Sequence, residues 1–531
     1  MKARDRYTQL SSNRSAFLEK AVDCSKLTLP YLVRDDHEDN TPHKSLASPW
    51  QSVGAKAVVN LAAKLMLALL PPQTTFFKFQ IRDDKLGEEL PPEIRSELDL
   101  SFSKMERMVM DYINASNDRV VVHQALKHLI VAGNTLIFMG KTGLKNFPLN
   151  RYVVNRDGDG NVIEILTKEL ISRKVLGREL PELKPNSPGD DAHKKVSDDD
   201  DVTVYTYVRM DEKNGRWVWH QEAFDKILPN SRSTAPKSAS PWLVLRFNTV
   251  DGEALGRGRV EEFMGDLKSL EALSQALVEG SAAAAKVVFT VSPSSTTKPQ
   301  ALAAAGNGAI VQGRAEDIGV VQVGKTADFR TASEMATTLE RRISDAFLVL
   351  NIRQSERTTA EEVRLTQMEL ESQLGGLFSL LTVEFLIPYL NRTLLVLQRS
   401  NQLPKVDKSI VRPQIVAGVN ALGRGQDRES LITFITTIAQ TMGPESMLKF
   451  IDASEYIKRL AAAQGIDVLN LVKSMQQLQQ EAQQQQQLAA QQSLVDQAGQ
   501  LARAPAVDPT KNPNLENMYG GEQGDAPQEG A

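Results

Sequence analysis

The chain has 531 residues, 41% hydrophobic and 24% charged, enough for several domains or one elongated folded subunit. Its net charge of −4 argues against a surface wrapped tightly by nucleic acid, because such binding rests on neutralising phosphates with Lys and Arg. The single cysteine, Cys24, excludes an intrachain disulfide, so the chain is built for a reducing compartment or is stable without cross-links.

The opening residues, Met1-Lys2-Ala3-Arg4-Asp5-Arg6, run into polar sequence with no apolar core, so no signal peptide is expected. Residues 4–25 read as a helix with Leu10, Phe17, Leu18 and Ala21 toward one side. A charged loop follows Pro30, from Arg34 to Asp39. The longest apolar run, residues 57–70, carries Asn60 and Lys64 and stops at Pro71-Pro72. It falls short of the roughly 20 residues that cross a bilayer and reads as a buried helix. Phe76-Phe77-Lys78-Phe79-Gln80-Ile81 is strand-like. Residues 92–115 and 118–132 read as helices, the second apolar at Val122, Ala125, Leu126 and Leu129.

Beyond residue 135 the period shifts toward two. Segments 135–139, 162–167, 202–210, 216–219 and 242–247 are strand candidates, and Asn214-Gly215 signals a hairpin. Residues 184–201 read as a solvated acidic loop, with cation binding as the weaker alternative.

The period then returns to 3.6. Val260, Phe263, Met264, Leu267, Leu270, Leu273 and Leu277 step by three and four. Phe329, Ala332, Ala336, Leu339, Ile343, Ala346, Phe347 and Leu350 form a second such stripe. Between them, residues 286–324 hold only five charges: Lys286, Lys298, Arg314, Glu316 and Asp317. Two helices holding out a nearly uncharged tip suggest a stalk for assembly. A polar break, 351–359, separates the second stripe from a third helix over 360–387, which Pro388 ends or kinks. Residues 392–500 read as mostly helical, broken at Pro404, Pro413, Gly423 and Gly443-Pro444. The Gln-rich stretch 476–492 is read as a helix with disorder as the alternative, and the tail after Ala504 as disordered.

Catalysis finds little support. Gly319-Val-Val-Gln-Val-Gly324-Lys325-Thr326 satisfies a phosphate-loop pattern, but its β-branched interior resists the curled backbone of an anion nest and reads as a returning strand. Gly256-Arg257-Gly258-Arg259 reads as a tight hinge, with phosphate binding at the following helix as the weaker alternative. The six histidines show no metal spacing, and no cofactor is expected. In the break, Arg353, Gln354 and Arg357 are long donors. In isolation a plain solvated loop is favoured over a surface that touches passing phosphates.

The order of these elements resembles the portal, or head-to-tail connector, protein of short-tailed, podovirus-type phages over most of residues 1–500. The resemblance rests on Pro49-Trp-Gln-Ser-Val-Gly-Ala-Lys-Ala-Val-Val-Asn-Leu-Ala-Ala-Lys-Leu-Met-Leu-Ala-Leu-Leu-Pro-Pro, on Phe76-Phe77-Lys78-Phe79, on Gly256-Arg-Gly258 leading into a helix, on the Ala/Val/Gly-rich insert and on the helix pair around residue 351. Lys56 stands where the family usually has Arg.

The resemblance implies an α+β, mainly helical portal fold that assembles as a twelve-subunit ring at one capsid vertex, made in the host cytoplasm. It implies a wing (1–255 and 360–440), stem helices (256–285 and 325–350), a clip (286–324), a tunnel loop (351–359), a helical crown (441–503) and a disordered tail (504–531). Stem packing would fall to Phe263, Leu267, Leu270, Leu339, Ile343 and Phe347. Arg353, Gln354 and Arg357 would face double-stranded DNA during packaging and ejection. Terminase, a tail adaptor, capsid and scaffolding proteins and internal core proteins would be the other partners, with no membrane, no metal and no enzymatic activity. The alternatives are a P-loop nucleotide hydrolase and a monomeric scaffold or adaptor.

Overall fold

The computed structural model describes residues 2–35, 46, 48–71, 75–81, 92–176, 201–284, 288–294, 298–306, 309–312, 314, 316, 318–321, 326–349, 375–404, 411–415, 433–438 and 440–441. The chain divides into two units, Met1–Gly423 and Arg424–Ala531. In the second, residues 433–438 and 440–441 are helical.

In the first unit, four helices build the N-terminal part: α1 (Ala3–Lys26), α2 (Val53–Leu69), α3 (Pro92–Ala115) and α4 (Asp118–Ala132). On α2, Ala57, Val58, Leu61, Ala62, Leu65, Ala68 and Leu69 are buried. Their three-and-four spacing turns one greasy stripe toward α4, as the apolar run predicts.

Two sheets follow. The smaller runs β10 (Trp242–Arg246), β2 (Asn134–Met139), β3 (Leu144–Phe147). The larger has β4 (Tyr152–Arg156), β5 (Val162–Ser172), β6 (Asp201–Asp211), β7 (Arg216–Ala223) and β8 (Lys226–Ile227) in order, with β9 (Ser233–Pro236) beside β7. All pairings are antiparallel. Alternation sends Val153 and Leu166 toward Ala3, Tyr7 and Leu10 of α1. Tyr152, Val154 and Ile165 join the main core instead, with Trp242. The β6–β7 hairpin closes at Asp211 and Arg216, and Gly215 takes the left-handed conformation (φ 59°) that its turn requires.

The chain then enters α5 (Arg259–Glu262), α6 (Met264–Ala284), β11 (Val288–Val291), α7 (Pro299–Ala304), β12 (Ile318–Val321) and α8 (Thr326–Ala346). Gly375–Arg399, here α9, is followed by β13 (Val411–Ile415).

Three expectations need correction. Pro388 does not end its helix, which runs on to Arg399 through a π turn at Thr382–Leu386. Proline lacks the N–H that would bond four residues back, and a widened turn accommodates that loss. Burial of Phe385, Leu386, Tyr389, Leu390 and Leu394 holds both halves in the core. Among the described residues α9 is long and apolar enough to cross a bilayer, but this stripe marks it as a core helix. Second, the segment around Pro413 is not an interrupted helix. It is β13, paired antiparallel with β1 (Phe77–Ile81), with Pro413 opposite Phe79. A two-stranded sheet has an outer edge where a missing N–H costs nothing. Third, the helix expected from residue 260 onward is interrupted at Phe263, which separates α5 from α6. Strands β3, β4 and β9 lay outside the sequence reading because each is short and defined by its partner rather than by its own alternation.

Candidate functional site: the paired helices and their tip

The pair begins at a crossing of glycines. A Cβ on Gly258 would lie 2.8 Å from the Val131 carbonyl oxygen and 2.9 Å from the Gly133 nitrogen. Gly133 itself caps α4 at φ 73°. Only hydrogen at these positions lets the two backbones touch. Asn134 bridges them: its Oδ1 accepts from the Gly256 N–H at 2.7 Å and its Nδ2 donates to the Gly256 carbonyl at 2.7 Å. This is the hinge reading of the Gly-rich turn. A phosphate has no place there, since Glu261 and Glu262 occupy the first turn of α5. Arg257 is already engaged, donating to Glu253 at 2.6 Å and Glu261 at 2.7 Å, which pushes its pKa up.

Just upstream, β10 is tied to α9. Glu384 Oε1 accepts from Arg246 Nε at 2.8 Å and Nη2 at 2.6 Å, and its Oε2 accepts from the Arg246 backbone N–H at 2.9 Å. Arg156 Nη1 lies 3.7 Å from the same carboxylate. Desolvation pulls the Arg156 pKa down to about 10, against the pull of Glu384. The chain before the pair is thus clamped to the helix that follows it in sequence.

The helices α6 and α8 pack against each other in antiparallel fashion. The Phe263 and Phe347 rings meet edge-on at 5.7 Å, Arg342 reaches Asp266 at 3.2 Å, and the Phe329 ring abuts Gly280. As one member advances, its partner recedes along the chain. At the base, Leu267, Leu270, Ile343 and Phe347 are buried, and Phe263 and Leu339 pack against them. All six residues singled out for packing therefore lie in one cluster. Beyond Leu270 the cover thins. Leu273, Leu277, Ala332 and Ala336 are half-buried, while Val278 is 52% and Met335 54% exposed. From Leu270 to Ala283 the thinly covered rod is about 20 Å long, at roughly 1.5 Å per residue. The charges of the two helices are Asp266, Lys268, Glu271 and Glu279 on α6 and Asp328, Arg330, Glu334, Glu340, Arg341, Arg342 and Asp345 on α8, so carboxylates outnumber cations on both.

At the tip, β11 and β12 pair antiparallel with Thr290 opposite Gly319. Residues Gly319, Val320 and Val321 of the phosphate-loop pattern are thus extended strand, which cannot curl into a nest of N–H groups. Gln322 to Lys325 lie outside the described residues, as do Arg353, Gln354 and Arg357 and the whole segment 350–374. Among the described residues no cluster of His, Cys, Asp and Glu could hold a metal.

Sequence reasoning missed several residues that shape this region. Arg246, Arg156 and Glu384 gave no local signal, because their partners are far apart in sequence. Asn60 and Lys64 did stand out, as polar residues in an apolar run, and both donate to the Leu348 carbonyl at the foot of α8.

What fold and site define together is an α+β protein whose distinguishing feature is a thinly covered helix pair carrying a charge-poor hairpin. The family model for the bacteriophage head to tail connecting protein matches residues 1–472. The chain is 35% identical to the portal protein of Escherichia phage T7, covering 96% of this chain and 95% of that protein. It is 36% identical to the portal protein of Enterobacteria phage T3 (90% and 89%) and 30% identical to that of Enterobacteria phage SP6 (90% and 90%). The chain belongs to the head-to-tail connecting protein family of bacteriophages. Among solved structures, a chain in the neck of an empty gene transfer agent particle computed with C6 symmetry aligns over 78% of this chain and 90% of its own. It does so at TM-score 0.38 and 13% identity, too loosely to add to the argument.

Proposed function

We propose that this chain is the subunit of a portal ring, twelve copies closing around an axial channel at one capsid vertex. The observation that carries the reading is the uncovered outer half of α6 and α8. Among the described residues nothing covers Val278 or Met335, and neighbouring copies in a ring would supply that cover. The pair is then the stem, residues 286–324 the clip that docks terminase and the tail adaptor, and 441–503 the crown toward the internal core proteins. Capsid and scaffolding proteins contact the wing. Arg353, Gln354 and Arg357, on the segment after α8, touch the DNA backbone in passing. The excess of carboxylates on both stem helices suits a channel through which DNA slides, since a basic lining would hold phosphates.

The test is the mass of the purified protein. Twelve copies of a 58.6 kDa chain make a particle of about 700 kDa. Hollow rings of that mass in negative stain support the proposal. A species that stays near 58.6 kDa at every salt and protein concentration favours a monomeric scaffold and overturns it. A nucleotide hydrolase is disfavoured by the strand that occupies Gly319 to Val321. Equilibrium dialysis with ATP is expected to show no binding that Lys325→Ala removes.

A further inference from the structure

The foot of α8 is built in an unusual way. Leu348 N–H donates to the Asp345 carbonyl at 3.0 Å, and Val349 N–H donates to the Ser344 carbonyl at 2.8 Å. This pair of bonds is the Schellman termination, in which the residue after the cap turns left-handed. That residue is nearly always glycine, because a Cβ is penalised there. Here it is leucine, with φ 56°. The Leu348 side chain is 7% exposed, so it is fixed in the core and cannot swing out to relieve the backbone.

Something must hold this turn against its own preference, and α2 supplies it. Asn60 Nδ2 donates to the Leu348 carbonyl at 3.0 Å, and Lys64 Nζ donates to the same oxygen. The two residues are four apart on one helix and so share a face. The neighbouring Ala346 carbonyl accepts from Arg259 Nη2 at 3.3 Å.

We infer that Asn60 and Lys64 are positioning residues: a two-point pin on α2 that holds Leu348 in its left-handed hook and so sets where α8 stops and the chain departs toward residues 351–359. The functional meaning rests on the portal reading, in which that departure aims the channel-facing segment. The pin itself does not depend on it. When the pin is removed, the leucine backbone is free to leave the hook. With glycine at 348 the hook costs little, and the pin becomes redundant.

The experiment is hydrogen exchange with mass spectrometry on the full-length protein, in a double-mutant design. Asn60→Leu with Lys64→Met should speed exchange of the Phe347, Leu348 and Val349 amides at least tenfold, leaving the middle of α6 unchanged. In an L348G background the same two substitutions should speed it less than threefold. Equal acceleration in both backgrounds would mean that the α2 residues act through packing alone, which overturns the proposal, as would no acceleration in the first. A buried leucine is lost in L348G, so each pair of proteins is compared within its own background. Particle mass is measured in parallel. A failed portal reading shows there as a lone chain, whatever the exchange rates report.

Discussion

Replacing Glu384 with leucine removes the carboxylate that Arg246 and Arg156 share. Side-chain exposures of 12% for Arg246, 4% for Arg156 and 11% for Glu384 place the group well out of solvent. An exposed ion pair is worth roughly 0–1 kcal/mol. Losing one partner of a buried one costs about 3–5 kcal/mol, because the stranded charges keep their desolvation penalty. Three hydrogen bonds from Arg246 go with it, one of them from the main chain at the end of β10. At roughly 2–4 °C per kcal/mol for a large domain, the midpoint of thermal unfolding should fall by about 6–20 °C. Differential scanning fluorimetry on E384L, on R246L and on the double variant measures it. The double variant should lose less than the two single losses combined, since it strands one guanidinium where E384L strands two. A fall under about 2 °C in E384L, or strict additivity of the two single losses, would refute the argument that this carboxylate anchors α9 to β10.

Four further variants test other parts of the structure. Phe347→Ala at the base of the helix pair should cost about 3–5 kcal/mol of subunit stability, whereas Val278→Ser at the outer half should leave denaturant unfolding of the subunit unchanged and lower the yield of large particles by size-exclusion chromatography. Gly258→Ala places a methyl 2.8–2.9 Å from three backbone atoms of α4 and its cap, so the variant should be recovered mainly as insoluble protein on expression. His128 is fully buried, and desolvation pulls its pKa down to about 4. The folded value lies below the unfolded one near 6.5, so the unfolded chain takes up the proton first. The stability from this site is complete above about pH 6.5 and drains away as pH falls toward 4, by up to about 3 kcal/mol. Urea unfolding across that window should flatten in His128→Leu.

Much of the molecule was legible in the residues themselves. The helices α1 to α4 and the stripes of α6 and α8 each carry their own 3.6 period, and a period is a local property. Asn214-Gly215 announced its hairpin for the same reason, and the near-absence of charge between residues 286 and 324 needed no partner to be seen. The six base residues from Phe263 to Phe347 lie on two stripes that each had to bury one face, while their pairing as a stem came from the family resemblance.

Tertiary structure decided what depends on two distant stretches at once. Phe77–Ile81 could be read as a strand, but not that its partner is Val411–Ile415. The phosphate-loop pattern is a short run of letters, and pairing with Val288–Val291 gives Gly319, Val320 and Val321 an extended backbone. Asn60 and Lys64 stand out as polar residues in an apolar helix, while the Leu348 carbonyl to which both donate lies almost three hundred residues away. Glu384 and its two arginines were silent for the same reason: a charge in the sequence does not say what it will meet once the chain has folded, and burial is what makes losing one partner of that meeting cost several kcal/mol.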